Sequence, residues 1–182
     1  YVYNAYGVQG IYSAPGKAVK EAYDSSGVVA NDRGITVWLK GNRVSRNQIM
    51  AIKEERVTDQ KNSLTVCLDN ILRHAGITRN TEYDLAQGKT AIQILEENMT
   101  GVQVLDLSGC SLDAVLYYVN QDIPVLAILE DGEAVLVTGF NEFNVVIMEP
   151  STGKLYKKGM NDATTWFAEN GNHFISYMKI DN

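Results

Sequence analysis

The sequence predicts an α+β fold, with helices first and an antiparallel sheet after. Two observations carry this. Apolar residues recur at helical spacing in three segments, SLTVCLDNILRHAGI, TAIQILEENM and SLDAVLYYVNQ. Short apolar runs then follow one another, IPVLAIL, AVLVTGF and NVVIME, joined by turn residues at Glu130-Asp131-Gly132 and from Phe140 to Phe143. Segregated helices and strands are the mark of an α+β layout.

Taken in order, residues 1–44 form a small β-α-β-β module. YVYNAYGVQGIYS is rich in Tyr and Val and broken by Gly7 and Gly10, which reads as a strand or a bent hairpin. Ser13 is placed to cap the helix that follows, with Pro15 in its first turn. Ala18, Val19, Ala22 and Tyr23 recur at helical spacing, and Gly27 closes the helix. VVANDRGITVWLK reads as a hairpin turning at Asn31-Asp32-Arg33-Gly34. Residues 45–60 are polar and mixed in charge and read as a linker, with Ile49, Met50 and Ile52 as anchors.

Residues 61–182 carry the rest. The first helix places Leu64, Cys67, Leu68, Ile71 and Leu72 on one face, with Ser63 or Asn62 as cap and Gly76 at its stop. Ala91, Ile94 and Leu95 define the second helix, and VQVLDL a short extended segment. Ser111 caps the third, whose apolar face is Leu112, Val115, Leu116 and Val119. After the central strands come KLYKKG as a strand, DATTWFAENG as a late helix and HFISYMK as the last strand.

Composition narrows the function. The 182 residues are 45% apolar and 21% charged, ordinary for a globular chain, and the net charge is −6. A nucleic-acid binder would show a basic stripe, and only Lys157-Lys158 stand together. No apolar run approaches the roughly 18 residues of a membrane span, so membrane insertion is not expected. No signal peptide is legible, and the chain starts without Met, as a mature or excised fragment of something longer would. Cys67 and Cys110 lack zinc spacing and lie in apolar patterns, which makes them buried thiols or, if close enough, a disulfide. Gly88-Lys89-Thr90 resembles the tail of a phosphate loop, but Tyr83 stands where its first Gly belongs. No cofactor is implied.

Four pieces, LDNILRHAGI, CSLDAVLYYVNQDIPVLAIL, GEAVLVTGF and NVVIMEPSTG, together resemble the bacteriocin-processing-type, C39-like group of papain-like cysteine peptidases, over residues 60–178. The resemblance implies a papain-like fold, with a nucleophile at the N-terminus of a leading helix and a base on the sheet. In such a site a helix N-terminus and an imidazole acidify a thiol, a carboxylate orients the imidazole, and a nearby donor stabilises the oxyanion.

Carried over residue by residue, the chemical positions depart from that pattern. Counting back from Gly76 and Ile77 puts the nucleophile position at Ser63, one turn before Cys67. Glu133 stands at the base position and Glu149 at the orienting one, before Pro150. The oxyanion Gln falls at Val57, with Gln60 off the spacing. A serine with an exposed carboxylate is a poor nucleophile–base pair, and two carboxylates sharing a proton is not thiol-protease chemistry. His74 lies roughly 10 Å along the helix from Cys67, suited to the helix C-terminus, and His173 opens the last strand.

Two readings follow. One is a papain-fold module without catalysis, a pseudopeptidase that binds a peptide, a protein or a neighbouring domain of the same chain. Ser63, Glu133 and Glu149 would line its cleft, in a larger bacterial secreted or surface protein. The other is an active cysteine or serine peptidase with a rearranged site, using Ser63, or Cys67 or Cys110 with His173.

Overall fold

Uncharged, Tyr- and Val-rich segments broken by glycine form a small antiparallel sheet at the start of the chain. A computed structural model describes residues 1–40 and 48–181. Strands β1 (Val2–Asn4) and β2 (Gly7–Gly10) are the bent hairpin; α1 (Pro15–Ser25) follows, then β3 (Val28–Ala30) and β4 (Thr36–Leu39). The strand order is β2-β1-β3-β4. Asn31 builds the β3–β4 turn, its Oδ1 accepting from the N–H groups of Arg33 and Ile35. Two local expectations are corrected. Ser13 does not cap α1: the cap position is Ala14, with no side-chain bond and Pro15 as the first helical residue. The left-handed residue that closes α1 is Ser26, and Gly27 donates back to Ala22.

The larger body opens with the two-residue strand β5 (Gln48–Ile49) and continues through α2 (Ser63–His74), α3 (Glu82–Ala86) and α4 (Ala91–Asn98). Then come β6 (Val102–Asp106), α5 (Leu112–Asn120), β7 (Val125–Ile128), β8 (Ala134–Phe140), β9 (Asn144–Glu149), β10 (Lys154–Gly159), α6 (Met160–Glu169) and β11 (Phe174–Lys179). Thr90 and Gln93 form a reciprocal capping box on α4, and Ser111 caps α5 as expected. At the end of α2, Gly76 takes a positive φ and the Ile77 N–H returns to Leu72.

The larger sheet runs β10-β9-β8-β7-β11-β6, all neighbours antiparallel. β8 is its middle. Every residue from Ala134 to Phe140 is buried, because α2 and α5 both pack on this strand. β5 pairs with β8 at Gly139 and Phe140, beyond the end of β7. The α+β arrangement expected from sequence is present, with α2 and α5 packed on an antiparallel sheet, but the segregation is incomplete: β5 and β6 of that sheet precede α5, and α6 lies between β10 and β11.

The expected boundary at residues 44/45 lies outside the described residues. The described part of the expected linker runs along the larger body. Met50 and Ile52 are buried, the Val57 N–H donates to the Pro150 carbonyl, and Glu54 accepts from the Leu155 N–H. The small sheet and the larger body share one continuous core. Trp38 donates from Nε1 to the Ala114 carbonyl, and the Tyr118 hydroxyl donates to the Val37 carbonyl. Gly16 lies against the backbone of residues 106–108 so closely that a Cβ there would sit 2.9 Å from the Ser108 oxygen. Glycine is required at that approach.

Candidate functional site

The N-terminus of α2 meets the mouth of β8 through one hydroxyl. Asn62 is the cap, its Oδ1 accepting from the Thr65 N–H at 2.9 Å. Ser63 is thus the first helical residue and not the cap, and it is 3% exposed. Its Oγ accepts a hydrogen bond from the Ala134 N–H at 2.8 Å. The hydroxyl fastens helix to strand one residue from Glu133. Ser63→Ala leaves a buried N–H without a partner, and a loss of about 1–3 kcal/mol is expected. Urea melts of the two proteins measure it.

The two glutamates lie apart in bonding. Glu133 is exposed at the end of the β7–β8 turn, where its carbonyl accepts from the Leu129 N–H. Glu149 ends β9, and its Oε1 accepts from the Thr152 hydroxyl at 3.0 Å. Burial, and then the Glu149 charge, pushes the Tyr156 phenol up to about 12. Among the described residues no hydrogen bond joins Glu133 to Glu149, so the shared-proton pair is not formed. Val57 faces the Pro150 carbonyl with its N–H, and Gln60 is exposed.

The thiols sit elsewhere. Cys67 is fully buried on α2. Burial first, then the negative charges of Glu55 and Glu133, pushes its pKa well above the ordinary thiol value. Cys110 donates from Sγ to the Gly16 carbonyl at 3.3 Å, in the seam between α1 and α5. Burial raises it to about 12, with Lys20 pulling it down and Asp106 pushing it up. Both cysteines are free, so the disulfide is not formed. The imidazoles lie elsewhere. His74 ends α2 with Nε2 2.9 Å from the Asp122 carbonyl, and His173 is exposed just before β11. No Cys–His hydrogen bond occurs among the described residues.

What sequence reading missed is a polar cluster behind the site. Asp69 is buried on α2. It accepts from the N–H and hydroxyl of Thr81, each at 2.8 Å, and from Lys61 at 3.0 Å. Glu55, in the expected linker, accepts from Asn70 and Arg73. The available signal was Asp69-Asn70 interrupting the apolar run of the helix. Among the described residues, no group of three His, Cys, Asp or Glu is placed to hold a metal ion.

Chemically, the site offers a buried hydroxyl already engaged as an acceptor and an exposed carboxylate beside it. It presents neither a thiolate nor an imidazole. The chain is similar in fold to the crystal structure of a candidate C39-like peptidase from Bacillus anthracis. The TM-score is 0.62 over 75% of this chain and all of that one, at 16% identity. No protein-family model and no curated protein matches the sequence.

Proposed function

We propose that this chain is a degenerate C39-like papain-fold module that binds a peptide, a protein or a neighbouring domain and does not hydrolyse it. On this reading it belongs to a larger bacterial protein that is secreted or held at the cell surface. Glu133 and Glu149 line the inherited cleft, and Ser63, itself buried, holds the helix start beside it through the bond to Ala134. One observation carries the proposal. At the N-terminus of α2, where a thiol nucleophile would stand, a serine hydroxyl is buried and spent as the acceptor for the Ala134 N–H. A serine held as a structural acceptor, with a carboxylate for its neighbour, has no base to activate it.

Thiol chemistry and hydrolysis test this together. Iodoacetamide at pH 8 is expected to leave Cys67 and Cys110 unmodified in the native protein and to label both in urea, read by mass spectrometry. A fluorogenic peptide mixture is expected to stay uncleaved at enzyme concentrations that give a clear signal for an active papain-like peptidase. Fast native labelling of one cysteine, or cleavage abolished by Ser63→Ala, overturns the proposal in favour of a rearranged peptidase.

A further inference from the structure

A cavity of about 400 Å³ lies where the small sheet meets β6, away from the start of α2. That volume falls within the range of small-molecule sites. Its floor is apolar: Val29 and Val37 of the small sheet and Leu105 of β6 are all buried. Its rim is polar and aromatic, formed by Tyr1, Tyr12, Ser13, Asn31, Asp32 and Gln103. Several rim groups are held from behind. The Tyr12 ring lies over Gly10 so closely that a Cβ there would meet its Cε2 at 2.6 Å. Tyr1 stacks on Tyr3 with ring centroids 6.2 Å apart. Asn31 is fixed by the N–H groups of Arg33 and Ile35 at its Oδ1, and its Nδ2 donates to Gln103 Oε1 at 3.1 Å. That bond holds the Gln103 amide in place with its nitrogen still to be used. Among the described residues no group accepts from the Gln103 nitrogen or the Ser13 hydroxyl.

We propose that this cavity binds a small neutral saccharide. The lining chemistry selects the class. Among the described residues no Lys, Arg or His side chain borders the cavity, so a phosphate, a nucleotide or a carboxylate finds no counter-charge. The Tyr1 nitrogen is turned onto the Ala30 carbonyl at 3.0 Å. Asp32 is the one carboxylate of the rim and is exposed, so it offers a cation little. A wholly apolar ligand would cover the amide and hydroxyl groups of the rim without pairing them. A sugar ring meets both demands. Its C–H faces lie against the tyrosine rings and the apolar floor. Its hydroxyls, each a donor and an acceptor, match the Gln103 nitrogen, the Ser13 hydroxyl and the Asp32 carboxylate. Because Tyr12, Asn31 and Gln103 are already positioned, little ordering is lost on binding. None of these residues belongs to the site at α2 and β8, so this inference stands independently of the role of Ser63.

Amide chemical shifts of the 182-residue chain test this, with glucose, N-acetylglucosamine and cellobiose added separately to millimolar concentration. The expected result is that at least one sugar shifts the amides of Tyr12, Asn31 and Gln103 in a saturable way and leaves that of Ser63 in place. Tyr12→Ala and Gln103→Leu, each alone, should weaken that binding by at least about tenfold, through loss of the ring in one and of a paired donor in the other. Tyr12→Phe keeps the ring and should bind like the unaltered chain. That recovery separates loss of stacking from loss of fold, and an unchanged melting temperature does the same for Gln103→Leu. Three results overturn the proposal. One is no saturable shift with any of the sugars. Another is binding that neither Tyr12→Ala nor Gln103→Leu weakens. The third is a shift of the same amides by the diamine cadaverine and by none of the sugars, which makes the cavity a cation site.

Discussion

Trp38→Ala lowers the free energy of unfolding by about 3–5 kcal/mol, the range for truncating a large buried aromatic. Trp38 is 2% exposed and among the largest fully buried side chains of the chain. Its ring lies 6.3 Å from that of Tyr23 on α1 and 6.4 Å from that of Tyr117 on α5. Its Nε1 donates to the Ala114 carbonyl at 2.9 Å. One side chain therefore joins the small sheet, its helix and the larger body. Alanine leaves a cavity where these three meet, and the surrounding backbone is tied by the Tyr118–Val37 bond and cannot close it fully. Because the core is continuous across the two sheets, urea unfolding followed by circular dichroism should move as a single transition to lower midpoint. Two separated transitions in the variant would mean that residues 1–40 fold as an independent unit. A loss under about 1 kcal/mol would mean that the site collapses around the alanine.

The elements that sequence made legible are those whose signals are local. α5 is defined by an apolar stripe and a serine cap, and β8 by an unbroken apolar run after a turn. Where two adjacent residues both qualify as caps, sequence does not choose. Asn62 won over Ser63 because the serine hydroxyl has a distant partner in the Ala134 N–H, 71 positions away. Strand neighbours are equally non-local. Period-two patterning identifies β11, but nothing in it says that β11 sits between β7 and β6. β5 is two residues long and has no period at all. In the candidate site, the adjacency of Ser63 and Glu133 was readable only through the resemblance. The polar cluster at Asp69 was not read, because a helix reading assigns its buried face from apolar residues and sends carboxylates to solvent.

The same hydroxyl and the same cluster hold the N-terminal end of α2 in place. Ser63 holds the helix N-terminus to β8, Asn62 closes its first turn, and Lys61 reaches back to Asp69. Of these three bonds only that of Ser63 reaches another element, β8; those of Asn62 and Lys61 end on Thr65 and Asp69 of α2 itself.

Asp69→Ala is expected to remove about 2–4 kcal/mol of stability, because it leaves two buried donors without their acceptor. The Asp69 side chain has no exposed area, whereas that of Lys61 is 23% exposed. Lys61 therefore regains water when its partner goes, and the loss falls mainly on Thr81. That residue is fully buried, and its N–H and hydroxyl are left without their acceptor. Asp69→Asn separates the two contributions. It keeps an acceptor for Thr81 and removes the charge facing Lys61, so a loss of about 1–2 kcal/mol is expected. If asparagine is as damaging as alanine, the charge matters more than the acceptor. The pH dependence has a definite sign. The Asp69 hydrogen bond raises the Lys61 pKa above its ordinary 10.5, burial opposes this, and the charges of Asp69, Glu55 and Glu82 add to it. A folded pKa above the unfolded one gives a contribution that is fully present below pH 10.5 and is lost as pH rises through the higher folded value. Unfolding free energies at pH 8 and pH 11 should therefore differ more for the unaltered chain than for Lys61→Met. An equal difference in both would show that the Lys61–Asp69 pair adds nothing to stability.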